Sequence, residues 1–347
     1  MLITKNDIIK LDVSEKIFSS NGSVNYEKII DKFSDFDLIS VKHISKKCLQ
    51  LKLKRLDYTH CEDISNGLNL FSISSDEVKD YCKVTKKNCL CLSECWMPYA
   101  WSIIRSRENF DIKHLTIIHI DDHSDLMSPF ISYDGNWHID LLTKQPVKFN
   151  NPDSIKSAVK SGAITIGSML TPIINSVKNV KVLHLKPNFI RKTQFKMFFE
   201  SAQDNTFFRK TKRFNINYLP IIAENHFNRL YVKTSNVFDL FSLLDKNTKI
   251  LLHIDMDYFN NRFNGSTSWQ QDRSLLRDPN IEVQKETMFK LCNELGNLNK
   301  MHHIDYVFVG VSPSFYPAEF WGKGLHFLFR MLINNGIDVR DISKFIK

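Results

Sequence analysis

Nowhere in the 347 residues is there an uncharged apolar run of the roughly 18 residues that a membrane-crossing helix needs, so no segment reads as a membrane span. The first residues, MLITKNDIIKLDVSEK, place Lys5, Asp7 and Lys10 where a secretory signal would carry its apolar stretch. Glycine is scarce, at 11 residues, in a chain that is 43% hydrophobic and 12% aromatic; a disordered or low-complexity protein is ruled out. Cysteine occurs seven times, an odd number, and never as Cys-x-x-Cys, which removes a zinc ribbon and a thioredoxin-type redox site. The close set Cys82, Cys89, Cys91 and Cys95 therefore reads as free core thiols of a cytoplasmic protein.

The length admits one large domain or two modest ones. Lys and Arg number 47 against 38 Asp and Glu, a net charge of +9 that can steer an acidic partner without identifying it. Residues 1–87 carry no nameable motif and read as an N-terminal extension packed on, or contributing to, the core. From residue 88 to 347 the pattern changes. Leu115–Ile120 is a continuous apolar run of the kind found inside a parallel sheet, and Cys89–Leu92, Ala163–Ile166, Val180–Leu185, Ile250–Ile254 and Tyr306–Val311 repeat it. Helical periodicity lies between, over Trp96–Arg107, Ile281–Leu298 and Leu325–Asn334. Alternation of this kind predicts an α/β fold with a mainly parallel sheet and a site beyond the carboxyl ends of its strands. Residues 186–228 break the rhythm as an insertion. Its bases and aromatics, from Lys192 to Arg213, resemble a single-strand nucleic-acid face, but the charge is not sustained elsewhere, and a solvated insertion with its Phe side chains on the core is the favoured reading.

Two segments carry chemistry. His119-Ile-Asp121-Asp122-His123-Ser-Asp125 follows one apolar strand, and His253-Ile-Asp255-Met-Asp257 follows another. Ionised carboxylates at the ends of buried strands are costly unless something neutralises them. If the chain stays extended, alternation points Asp121, His123 and Asp125 the same way, and Asp255 with Asp257 likewise. Four carboxylates and one imidazole make a divalent-metal site whose oxygen-rich set suits Mn²⁺ better than Zn²⁺, with charge enough for two ions. Alternation also points His119 and His253 inward, either as packed strand residues or behind the ligands.

Asp121-x-His123-x-Asp125 and Asp255-x-Asp257 resemble the paired metal motifs of the arginase/agmatinase (ureohydrolase) superfamily, itself related in fold to histone deacetylases. Gly135-Asn136-Trp137-His138, with His138 thirteen residues after Asp125, resembles the Gly-Asn-x-His of arginases. More narrowly, HIDDHSDL, IGSMLTP, VKVLHLKP and HIDMDYF are similar to the family that contains the peptide arginases, over roughly residues 89–335. The resemblance implies a three-layer α/β fold and two Mn²⁺ ions, bridged by Asp121 and Asp255. Asp125 would serve the first ion, and His123 with Asp257 the second. His138 would shuttle a proton, with Asn136 and Trp137 beside it at the substrate. The reaction implied is hydrolysis of peptide-borne arginine to ornithine and urea. Its partner would be a peptide with an acidic recognition segment, for which the Lys192–Arg213 run is the landing face. A membrane is no partner, and the oligomeric state is left open.

Three departures accompany the resemblance. Arginases take a further His ligand from the loop before the first motif, and here Glu94 and Cys95 fall near that place. Arginases also end a late strand in a Glu that pairs with the guanidinium; the matching position is Gly310, and Glu319 is the nearest carboxylate. Where arginases hold the free amino acid's carboxylate with an Asn, this chain has Met127. A deacetylase-like amide hydrolase on the same scaffold, or a peptide- or RNA-binding protein with a weakened first metal site, are the rival readings.

Overall fold

The computed structural model describes residues 8–33, 36–45, 47–55, 64–108, 112–133, 137–188, 192–203, 212–220, 229–245, 247–265, 270–271 and 277–347. The N-terminal part comprises strand β1 (Ile8–Asp12), helix α1 (Tyr26–Lys32), strands β2 (Phe36–Ser45) and β3 (Cys48–Arg55), and helix α2 (Ser65–Phe71). Strands β4 (Cys82–Val84) and β5 (Asn88–Cys91) lead into helix α3 (Met97–Glu108) and strand β6 (His114–Ile120). Next come the short strands β7 (Ile131–Tyr133), β8 (His138–Asp140) and β9 (Pro146–Val147), helices α4 (Pro152–Ser161) and α5 (Leu170–Asn175), and strand β10 (Asn179–Leu185). Strands β11 (Thr193–Gln203), β12 (Lys212–Pro220) and β13 (Arg229–Thr234) precede helix α6 (Phe238–Phe241) and strand β14 (Lys249–Asp255). Helix α7 (Ile281–His302), strand β15 (Tyr306–Gly310) and helices α8 (Ala318–Asn334) and α9 (Arg340–Ser343) complete the chain.

Twelve of these strands form one mixed sheet in the order β4-β5-β15-β14-β6-β10-β13-β11-β12-β7-β8-β9. Its six central strands, β5 to β13, run parallel. The flanks are antiparallel, so the expected mainly parallel sheet is confined to the centre. The reason is the insertion: β11 and β12 pair as an antiparallel hairpin, and β12 in turn recruits β7. Phe214, Met197 and Ile216 are buried by this hairpin, whose connecting residues, with Phe207 to Lys210 of the basic run, lie outside the described set. Arg213 is buried too, so it belongs to the core and not to a landing face.

Strand alternation splits the core into two layers. Leu115 and Ile117 of β6 join one apolar cluster with α3, α4, α5 and the separate β1-β3-β2 sheet. Ile118 and Ile120 face the other, with α2, α7, α8 and α9. Layering of helices on both faces of a sheet is what continuous apolar strands dictate. Asn280 accepts from the amides of Glu282 and Val283 to start α7, and Asn151 with Pro152 starts α4, which Gly162 ends at φ 83°. The strand expected over Ala163–Ile166 does not form. That segment turns and enters a short 3₁₀ helix, because its carbonyls are used by the loop after β6: Met127 and Phe130 donate to Gly167 and Ala163. Among the described residues no helix is long and apolar enough to cross a membrane.

Candidate metal centre

β6 and β14 lie side by side in register, with His119 opposite His253 and Ile120 opposite Ile254. The next residues, Asp121 and Asp255, therefore emerge together at the carboxyl edge of the sheet. The extended geometry expected beyond them is not what brings the motifs together. β6 stops at Ile120, and the chain bends through Asp121–His123, where the Asp121 carboxylate accepts the His123 amide at 2.5 Å. Asp255 does the same for the Asp257 amide at 3.1 Å, and a 3₁₀ turn follows. Both are Asp side chains capping their own turn two residues on, a local bond that competes successfully with strand continuation. Asp125 completes the bend in the left-handed region at φ 49°. Such a conformation is uncommon for a residue with a side chain, and Asp tolerates it better than most.

The turns converge. His123 Nδ1 lies 2.7 Å from Asp257 Oδ2 and 3.7 Å from Asp121 Oδ1. Ser312 donates to Asp255 at 2.6 Å. Glu94, on the 3₁₀ turn after β5, reaches Asp255 from the neighbouring loop. Glu94, Asp121, Asp125, Asp255 and Asp257 are all at most 3% exposed. Burial, followed by the charge of neighbouring carboxylates, pushes Glu94, Asp121 and Asp255 well above the ordinary carboxylate range. Burial takes Asp125 to about 7. Burial opposes protonation of His123, but its bond to Asp257 and the surrounding acids raise it to about 9. Five carboxylates this close cannot all ionise without a positive charge among them.

A second row lies directly beneath. His184, His119 and His253 stand opposite one another on β10, β6 and β14, all buried and all facing the α3 side. Burial pushes each below the ordinary imidazole range, His184 to about 3. His119 Nε2 donates to the His123 carbonyl at 3.0 Å, and His184 Nε2 to the Asp121 carbonyl at 3.0 Å, so the row props up the first bend. Asp122, between the ligand candidates, binds Asn261 at 2.8 Å, with Arg277 and Lys186 at 3.4 and 3.3 Å. Arg277 also donates to the Asp257 and Tyr258 carbonyls, clamping the two motifs together. Ser312, Asn261 and Arg277 carried no signal in the sequence, and His184 none beyond its place in VKVLHLKP, since only strand register and loop closure bring them here.

Sequence candidates outside the cluster fall as follows. Cys95 is buried in the apolar cluster 3.1 Å from Ser93, and of the two upstream residues only Glu94 joins the carboxylates. Glu319 is exposed and paired with Arg262 at 2.8 Å, so it is a surface acid of the first turn of α8 and no part of the cluster. His138 is half-buried, its ring 4.7, 4.6 and 5.4 Å from those of Tyr133, Phe149 and Phe214. Trp137 and Met127 are exposed. Asn136 lies outside the described residues.

The donor set fits a metal ion on an observation of its own. Glu94 Oε2, Asp121 Oδ2, Asp125 Oδ2 and His253 Nε2 are buried acceptors with no hydrogen-bond partner. Each such atom costs about 1–3 kcal/mol when left unsatisfied, and a cation among the four would satisfy them together. Three overlapping groups could hold one: Asp121, His123 and Asp257; Glu94, Asp121 and Asp255; and His119, Asp121 and His253. Fold and site together define an α/β protein with a buried carboxylate–histidine centre able to hold a metal ion. No protein-family model and no curated protein sequence matches the chain.

Proposed function

We propose that this chain is a manganese-dependent hydrolase that cleaves the guanidino group of arginine within a peptide, leaving ornithine and releasing urea. The observation that carries the reading is the set of unpartnered buried oxygens on Glu94, Asp121 and Asp125, ringed by Asp255, Asp257 and His123 at adjacent strand ends. Asp121 and Asp255 would be shared between two ions. Glu94 and Asp125 would hold one, and His123 with Asp257 the other. Such ions, when bound, supply Lewis acidity and activate water at neutral pH. The hard, carboxylate-dominated donor set favours Mn²⁺ over softer metals.

The protein residues do the rest. Ser312 fixes the Asp255 carboxylate, while Asn261 on Asp122 and Arg277 on the Asp257 carbonyl hold the two turns before any ion arrives, so little reorganisation accompanies the reaction. Water's oxygen ends on the guanidino carbon, the carbon–Nε bond breaks, and the leaving amine takes a proton, a role that the resemblance to arginases gives to His138. Met127, exposed two residues after Asp125, offers no polar grip on the carboxylate of a free amino acid, which favours arginine embedded in a chain.

Mass spectrometry of an arginine-containing peptide incubated with the protein and Mn²⁺ tests the reading. A loss of about 42 Da per converted arginine is the expected product of hydrolysis. An unchanged peptide mass together with hydrolysis of an acetyl-lysine peptide would replace it with the deacetylase-like alternative.

Gly310 supplies a separate check on Glu94. It faces Asp255 across the sheet, and a Cβ there would lie 3.3 Å from both Glu94 Cβ and Met97 Cε. The glycine thus makes room for Glu94 where a larger residue would exclude it. Gly310→Ala is expected to push Glu94 aside and weaken Mn²⁺ binding about tenfold, read by equilibrium dialysis.

A further inference from the structure

We propose that His253 supplies a nitrogen ligand to the ion held by Glu94 and Asp121, so that a strand histidine takes the place of the upstream loop histidine that arginases use. The inference deepens the metal-centre reading and rests on it. A chain of hydrogen bonds along the row leaves one nitrogen open.

His119 Nε2 sits 3.0 Å from the His123 carbonyl, which can only accept, so that nitrogen carries hydrogen. His119 Nδ1 lies 2.7 Å from His253 Nδ1, a distance that admits one proton between the two rings. A neutral His119 has already placed its proton on Nε2, so the proton of this bond belongs to His253 Nδ1. The remaining nitrogen, His253 Nε2, is then a bare lone pair. It is buried, has no hydrogen-bond partner, and faces Glu94 Oε2 at 3.7 Å, an oxygen that has none either. Two such atoms facing each other in a dry interior repel unless a proton or a metal cation lies between them, and 3.7 Å is too long for a shared proton. Metal bonds of about 2.0–2.2 Å to nitrogen and oxygen span that separation.

The neighbouring histidine shows why this nitrogen is special. His184 Nε2 donates to the Asp121 carbonyl at 3.0 Å, and its Nδ1 accepts from the Tyr231 hydroxyl at 2.7 Å, so both of its nitrogens are committed. Both nitrogens of His119 are committed as well. Of the three buried imidazoles in the row, His253 alone has a nitrogen left over. His119 then acts as the positioning residue that fixes the tautomer, the role a backing hydrogen bond plays for metal-bound histidines generally.

Pulsed electron–nuclear double resonance on Mn²⁺-loaded protein with ¹⁵N-labelled histidine tests this without substrate. Two coupled histidines, His123 and His253, are expected in the unaltered chain, and one in His253→Gln, with Mn²⁺ affinity at the affected site falling tenfold or more. A single coupled histidine in the unaltered chain, two in His253→Gln, or no bound Mn²⁺ at all would overturn the proposal. The unaltered chain decides the matter even if the variant fails to fold. Because no peptide is present, failure here is separate from failure of guanidino hydrolysis, which the mass measurement decides.

Discussion

Asp257→Ala is expected to abolish conversion of peptide arginine while leaving the metal-free protein folded. The carboxylate holds His123 at 2.7 Å and accepts the Asp122 amide at 3.2 Å, so it joins the two motifs as well as offering a ligand oxygen. Loss of a group that merely supports a ligand typically costs about 10–100-fold in activity or affinity, and loss of the ligand itself should exceed that. The fold should tolerate the change for an electrostatic reason. Asp257 is among the charges that push Asp121 and Asp255 upward, so removing it relieves repulsion in the empty site. The relieved repulsion offsets part of the lost His123 and Asp122 bonds, so the metal-free variant should still unfold cooperatively, while metal analysis falls from two Mn²⁺ to one. Retained turnover would exclude the cluster as the reaction centre.

Much of the scaffold could be read from particular stretches of sequence. Leu115–Ile120, Val180–Leu185, Ile250–Ile254 and Tyr306–Val311 are apolar on both faces because both faces are covered, and each forms a central parallel strand. Helix α7 runs four residues past its expected end at Leu298, and α8 starts at Ala318, seven residues before the periodicity was clear, since Pro317 opens it. Ala163–Ile166 has the same apolar look as the strands but spends its carbonyls on the loop after β6, and composition cannot distinguish the two.

The site divides along a similar line. Asp121, His123, Asp125, Asp255 and Asp257 announce themselves because acids at the end of buried strands are costly. Their geometry was not legible, because alternation assumes an extended chain and both motifs turn instead on their first Asp. Cross-strand register is also absent from a linear pattern. It places His184 beside His119 and lets Glu94 fill the space above Gly310.

Metal removal should invert the usual dependence of stability on pH. In the empty site Asp125 has its carboxyl raised from 3.8 to about 7, and His123 its imidazole from 6.5 to about 9. Each group therefore binds its proton more tightly folded than unfolded. Stability linked to such groups is complete below their unfolded values and is lost as pH rises through the folded ones. The metal-free protein should accordingly weaken as pH rises from about 6.5 through 9, within the range in which globular proteins ordinarily reach their maximum stability; below that, the buried His119, His184 and His253, held under their unfolded value of 6.5, act in the opposite direction. Glu94, Asp121 and Asp255, raised in the same direction, steepen the trend. Mn²⁺ replaces those protons as the counter-charge, so the loaded protein should lose most of this slope. It should also gain about 2.7 kcal/mol for each site at a free ion concentration one hundred times the dissociation constant. Chemical denaturation at pH 5.5 and 8.5, with chelator and with Mn²⁺, reads both effects. A chelated protein that is as stable at pH 8.5 as at pH 5.5 would mean that the buried carboxylates carry their charge without help, and the case for a metal centre would fall with it.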